Sequence, residues 1–192
     1  MGEQWGQREK MNLQEQLSLS DERYQLLFNV RRSIRYHDRR RMFYEQLHHV
    51  TSLMTILMAG SVLFDLGKTG NAANWLVSLS VIAALLAATD MVIGYSRRAS
   101  LHTGLRSRFA DLEIAMLSGQ TTEAVWQDHQ KTRLFIEKDE PAIYKVLDLL
   151  CHNELLIAEG FKLDKNPEQF AKITRWQKWT SQLCHWDNWQ AS

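Results

Sequence analysis

Three consecutive residues, Cys151, His152 and Asn153, carry the side-chain types of a cysteine-protease centre, where a thiolate attacks a carbonyl and an imidazole moves the proton. Adjacent residues on a helix project about 100° apart, so this tripeptide cannot converge on one bond. Seven histidines are present, among them His37, His129 and the pair His48-His49. No two histidines stand at i, i+4, and Cys151 and Cys184 form no Cys-x-x-Cys, so no metal site is expected. The chain also lacks a glycine-rich phosphate loop, a Gly-x-Ser-x-Gly elbow and the kinase set. The expectation is a protein that is not an enzyme, with no cofactor and no metal.

The informative residues act through charge and burial. Asp90 is the only charged residue in the run Trp75–Tyr95. On a helical wheel it shares a face with Ser80, Ala83, Ala87 and Gly94, small residues that permit close helix approach. Two roles are open to it: a carboxylate near the helix end that snorkels to the surface, or one of a ring lining a cation path through several subunits. A second group is the arginine run Arg31, Arg32, Arg35, Arg39, Arg40 and Arg41, joined later by Arg97 and Arg98. These guanidiniums suit a topology signal with anionic-lipid contact, or an anion site in an oligomer. Glu154, with Asn153 at its edge, falls on the wheel face of Ile143, Val146, Leu147, Leu150 and Ile157. A carboxylate there needs a partner, so Glu154 is expected either in an ion pair with a stalk arginine or as a switch contact. Trp176, Trp179, Trp186 and Trp189 form one stripe if the tail is a helix, suited to an oligomer contact, packing on the stalks, or the membrane interface.

These residues require an all-helical frame. No Asp, Glu, Lys or Arg lies between Gln46 and Phe64, and the runs 50–66 and 75–95 make helices of about 25 and 31 Å against a hydrocarbon core of ~30 Å. Two spans joined by the short connector Gly67–Asn74 are therefore expected. Lys and Arg cluster before the first run and after the second, while the connector holds Lys68, which predicts a multi-pass protein with both termini cytoplasmic. The first residues are polar without an apolar leader, and Gly6 stands where a myristoylation site needs Ser or Thr.

The flanking segments read as helices too. Residues 1–19 are expected to be a polar tail, with Ser18 or Ser20 opening a long helix that runs unbroken into the first span. Past the second span, Leu105, Phe109, Leu112 and Met116 step by 4, 3 and 4, the seam of a coiled coil reaching Gly119. Thr121 or Thr122 caps another helix, and Pro141 to Gly160 frames the next. The domain plan is thus 1–19 tail, 20–119 juxtamembrane helix with two-transmembrane hairpin and stalk, 120–163 cytoplasmic helices forming a bundle, and 164–192 a tryptophan-rich helix. The net charge of +1 and 45% hydrophobic content exclude disorder and any global basic signal for nucleic acid.

This layout resembles the SLATT families, the SMODS and SLOG-associating two-transmembrane effectors of bacteria. The resemblance is carried by the juxtamembrane helix Asn29-Val-Arg-Arg-Ser-Ile-Arg-Tyr-His-Asp-Arg-Arg-Arg41, the short-loop hairpin 50–95 and the following helix with Arg97-Arg98, over roughly residues 25–160. It implies an oligomeric, pore-forming or membrane-perturbing effector of the bacterial inner membrane in nucleotide-signalling phage defence. It also implies a lipid bilayer and further copies of the chain as partners, and a separate cytoplasmic sensor or nucleotide signal as the trigger. A membrane-anchored scaffold that recruits a cytoplasmic partner is the alternative.

Overall fold

The computed structural model describes the backbone of residues 2–69, 74–119 and 122–186, and the side chains of 20–62, 75–119 and 122–186. Among the described residues the chain is all-helical, with α1 (Gly2–Thr69), α2 (Asn74–Ile93), α3 (Tyr95–Ser118), α4 (Glu123–Glu137), α5 (Lys145–Ala158) and α6 (Arg175–Thr180), and a 3-10 turn at Pro167–Gln169. Helix α1 already runs at Gly2, so the expected start at Ser18 or Ser20 is an interior position. The stretch before it is rich in Gln, Glu, Leu and Met, which favour helix, and no proline interrupts it. Half of the expected connector, residues 70–73, and Trp189 lie outside the described residues.

The chain divides into two compact units, one of residues Met1–His37 and Leu105–Ser192, the other of Asp38–Gly104. In the second, α1 runs antiparallel beside α2 and the start of α3: Tyr44 stacks with Tyr95 of α3 at 6.5 Å and His48 meets Asp90 of α2. From Tyr44 to Val62 the less exposed positions on α1 include the series Tyr44, His48, Thr51, Thr55, Met58 and Val62, stepping by 4, 3, 4, 3 and 4, with Glu45, Leu47 and Ser52 beside it. On α2 they are Leu76, Leu79, Ala83, Leu86 and Asp90, also at alternating steps of three and four. This is the spacing of two helices packed along a coiled-coil seam. Ser80 and Ala87 are exposed, so the inward face of α2 is turned by one residue from the small-residue face read on the wheel.

Helices α2 and α3 break at Gly94, whose φ of +65° is a left-handed conformation that L side chains adopt only at a cost. The break keeps its ladder partly intact, with Gly94 N–H donating to the Asp90 carbonyl at 2.8 Å and Arg98 N–H to the Gly94 carbonyl at 3.0 Å. The Arg98 side chain turns back and donates from Nε to the Ile93 carbonyl at 3.1 Å, covering an acceptor at the end of α2.

The first unit is held by three apolar clusters. Val30 of α1 packs with Leu105, Phe109 and Leu112 of α3 and Ile136 of α4, with Ile34 and Met116 beside them. The spacing 105, 109, 112, 116 is therefore a real packing seam. Phe28 packs with Leu155 and Leu156 of α5 and Phe170, and Tyr36 packs with Leu147 and Cys151.

Helix α5 starts four residues later than the proline suggests. Residues on both sides of Pro141 are fastened to α1: the Tyr144 amide donates to the Tyr36 hydroxyl at 3.0 Å, and Glu140 meets His37 at 3.1 Å. These ties hold 140–144 out of helix, with Tyr144 in extended conformation at the N-cap. The C-terminal end follows expectation. Gly160 has φ +92°, its N–H donates to the Ile157 carbonyl and the Phe161 N–H to the Leu156 carbonyl, a Schellman closure with Phe161 packed on the Leu156 cluster.

The tail is not one helix. Pro167 opens a 3-10 turn that ends at Gln169, Phe170 and Thr174 have extended backbones with no regular structure between them, and Thr174 caps the six-residue α6. Among the described residues the expected single helix face therefore does not continue past α6. Trp176 and Trp179 are on the surface and Trp186 is half-buried.

Candidate functional site

One helical stretch among the described residues, Trp75–Ser118, is long and apolar enough to cross a membrane, with a mean hydropathy of 2.2 in a window of which 11% is buried. Val77, Val81, Leu85, Met91 and Val92 of α2 are all more than half exposed, as are Val50, Leu53, Ile56 and Leu57 of α1. The run 50–66 passes out of the described side chains at Val62. Hydroxyls in these stretches are satisfied by their own helix: Thr55 donates to the Thr51 carbonyl at 2.8 Å, Ser61 to Leu57 at 2.7 Å, Ser80 to Val77 at 2.8 Å and Thr89 to Leu85 at 2.7 Å. Such internal pairing is what a segment without access to water needs.

On this apolar seam sits an ionisable pair. His48 Nδ1 and Asp90 Oδ2 lie 3.0 Å apart, the imidazole N–H donating to the carboxylate, with side chains 38% and 23% exposed. Asp90 is thus neither turned to the outer face nor alone. Ala83 is buried two turns away on the same face, whereas Ala87 is exposed and Gly94 serves as the helix break. His48 carries no sequence motif. Its signal is register: an antiparallel pairing that sets Tyr44 beside Tyr95 brings position 48 to position 90.

One turn further along α1 lies a cluster of cations and rings. Arg40 is 3% exposed, donates to the Tyr44 hydroxyl and stands over the Tyr44 ring at 4.6 Å and the Phe43 ring at 5.6 Å. Tyr44 also stacks on His102 at 5.8 Å and accepts from Arg98 at 3.4 Å. Arg41 is held between Asp38 at 3.2 Å and Glu45 at 3.3 Å, Arg39 is half-buried, and Arg97 is exposed.

In the other unit the arginines meet carboxylates from α3 and α5. Arg31 Nε donates to Glu113 at 2.7 Å and its Nη1 lies 3.5 Å from Glu159, while Arg32 lies 3.1 Å from Asp148. The Glu113 hydrogen bond raises the Arg31 pKa further above its ordinary value. Burial pushes the Asp148 carboxyl up, against the opposing pull of Arg32. Tyr24 donates to Glu159, and desolvation together with that acceptor pushes its hydroxyl up to about 12. Arg35 lines a cavity of about 430 Å³ with Arg31, Glu113 and Glu159.

Arg31 thus pairs with Glu113 and Glu159 and Arg32 with Asp148, while Glu154 is half-buried. Helix α5 buries Val146, Leu147 and Leu150 as the wheel placed them, together with Cys151, Leu155 and Leu156, while Ile157 is 63% exposed. Asn153 has a defined task. Its Nδ2 donates to the Ala171 carbonyl at 2.8 Å and its Oδ1 accepts from the Ala171 N–H at 2.9 Å, fastening the extended segment before α6. Cys151 is fully buried, whereas His152 lies edge-on to Phe28 with Nε2 3.2 Å from the Gln169 carbonyl, so the two do not meet. Among the described residues no group of three His, Cys, Asp or Glu is gathered as metal ligands.

No protein-family model matches the chain, and neither a curated protein nor a solved structure is significantly similar to it.

Proposed function

We propose that the chain is an oligomeric integral membrane effector of SLATT type, a two-span hairpin of the bacterial inner membrane that forms a pore or perturbs the bilayer when triggered. The observation that carries this reading is an ionisable pair, His48 and Asp90, on the inward seam of two helices whose outward faces are apolar and exposed. A core helix of a soluble protein would be mostly buried, whereas 11% burial over the apolar window within Trp75–Ser118 matches a helix bathed in lipid. Ionisable side chains at membrane depth are costly and face protein or water, so their placement points to an ion or water path. In the resting state His48 holds Asp90 within one chain. Activation by a separate cytoplasmic sensor or nucleotide signal repacks the seam, and the carboxylates of several copies then face one lumen, since two helices cannot enclose a pore alone.

The test is membrane potential in bacteria expressing the protein with its genomic neighbours and challenged with phage, the defence setting the reading assigns. Triggering should depolarise cells with the parent chain. Asp90→Asn should reduce cation permeability by roughly tenfold or more, and His48→Ala should raise leak before triggering. Unchanged potential in all three would refute the pore reading. A second reading, a membrane-anchored scaffold, draws on the exposed Trp176 and Trp179. It requires recruitment of a cytoplasmic partner with permeability never changing.

A further inference from the structure

The last described stretch of the chain reverses the usual order of burial. In α6 and the turn after it, Gln177 and Ser181 are 7% and 3% exposed, while Trp176, Trp179 and Leu183 are 71%, 86% and 67% exposed. Local hydrogen bonds account for the polar half. The Gln177 side chain accepts from the Thr174 N–H at 2.9 Å and from the Thr174 hydroxyl at 3.0 Å, and the Thr174 hydroxyl oxygen accepts from the Gln177 N–H. The Ser181 hydroxyl donates to the Lys178 carbonyl at 2.9 Å. With the polar side chains satisfied inward, the indoles and Leu183 are presented outward, an arrangement that costs stability in water unless something covers it.

Charge says what covers it. From Phe170 to Trp186 there is no Asp or Glu, and the cations Lys172, Arg175 and Lys178 are all exposed and in no ion pair among the described residues. Two copies of such a surface would bring like charges face to face. An anionic bilayer offers both what the cations and what the indoles need, since tryptophan favours the headgroup region and basic residues favour anionic lipid.

We propose that residues 172–183 form a peripheral docking surface for an anionic bilayer. Trp176, Trp179 and Leu183 enter the headgroup region, and Lys172, Arg175 and Lys178 meet lipid anions. The surface is held in its presenting conformation by Asn153, which grips Ala171 just before it. The proposal rests on the membrane reading above for the presence of a bilayer, but on different residues.

A spin label reports it in the full chain. Cys184 is exposed next to Leu183, and Cys151 is buried and is replaced by Ser. The label is read in nanodiscs of zwitterionic lipid alone and with one third phosphatidylglycerol, comparing collisions with oxygen, which enriches in lipid, and with a water-soluble nickel chelate. A label at Val81→Cys, with Cys184→Ser, tests the span separately. The expected result is a lipid-exposed Cys184 label in the anionic discs alone. Each cation near an anionic surface is worth about fivefold, so Lys172→Gln, Arg175→Gln and Lys178→Gln together should lower the docked-to-undocked ratio roughly a hundredfold. Trp176→Ala with Trp179→Ala should undock the label without altering helix content. A water-exposed Cys184 label in both compositions, beside a lipid-exposed Val81 label, overturns the docking surface alone. A water-exposed Val81 label overturns the span. Spin–spin broadening at Cys184 that grows with copies per disc and ignores lipid charge overturns the proposal in favour of a copy-to-copy contact.

Discussion

Substituting Asn153 by Ala deletes both bonds that fasten the backbone of Ala171, at 2.8 and 2.9 Å. Each such bond contributes about 0.5–1.5 kcal/mol net, and a backbone group left dry costs about 1–3 kcal/mol. Both Asn153 and Ala171 are half-buried, so water can partly replace the lost partner. The expected loss is about 2 kcal/mol of local stability, or roughly thirtyfold in the opening equilibrium of the segment. Hydrogen exchange at the Ala171 amide reads this directly, because the opening free energy of that segment sets its protection. Asn153→Asp separates the two bonds. It keeps an acceptor for the Ala171 N–H but turns a carboxylate oxygen toward the carbonyl. Its Ala171 amide should therefore stay better protected than in the alanine variant, while the chain beyond it loosens. An Ala171 exchange rate within twofold of the parent in Asn153→Ala would refute the reasoning.

Other outcomes follow from the same geometry. Gly94→Ala forces a side chain into φ +65°, a cost of about 1–2 kcal/mol, and should lower the thermal midpoint in detergent by roughly 2–8 °C; an unchanged midpoint would mean that the break is not left-handed. Asp148 has a raised pKa, so the folded chain holds its proton more tightly than the unfolded chain. Its contribution is then fully present below the ordinary value of 3.8 and is lost as pH rises through the higher folded value. Melting curves of the parent and Asp148→Asn across that window should show the parent losing ground as pH rises, and parallel curves would contradict the sign. Arg31→Gln removes partners from Glu113 and Glu159, and because these side chains are partly exposed the loss in denaturant unfolding should be about 0.5–1 kcal/mol.

The helical class was legible because two apolar runs, a 4-3-4 seam and the glycine closing α5 each express a local rule. Burial of Leu105, Phe109 and Leu112 follows from their spacing alone. Asp90 was legible as a charge in an apolar run. Its partner was not, because His48 lies 42 residues away and only the antiparallel register joins them. The start of α5 was misread for the same kind of reason: Tyr36 and His37 of α1 hold Tyr144 and Glu140, and this long-range grip outweighs proline's preference for a first helical turn. Among the described residues the tryptophan stripe is interrupted, because it assumed a continuous helix. Pro167 and the Asn153 clasp on Ala171 interrupt the chain there, and the wheel cannot register a side chain that binds backbone 18 residues on.

The pairing of Arg31 with Glu113 also bears on how the chain is made. Their separation is 82 residues, so at roughly 5–20 residues per second the arginine leaves the ribosome about 4–16 seconds before its carboxylate exists. Arg32 waits longer still for Asp148. Under the proposed membrane role, insertion of the hairpin falls inside that interval, when these guanidiniums are still unpaired and can act as the retained charges that orient it. The later carboxylates then neutralise them. On that proposal, timing of synthesis would let one set of side chains direct insertion first and pair within the fold afterwards.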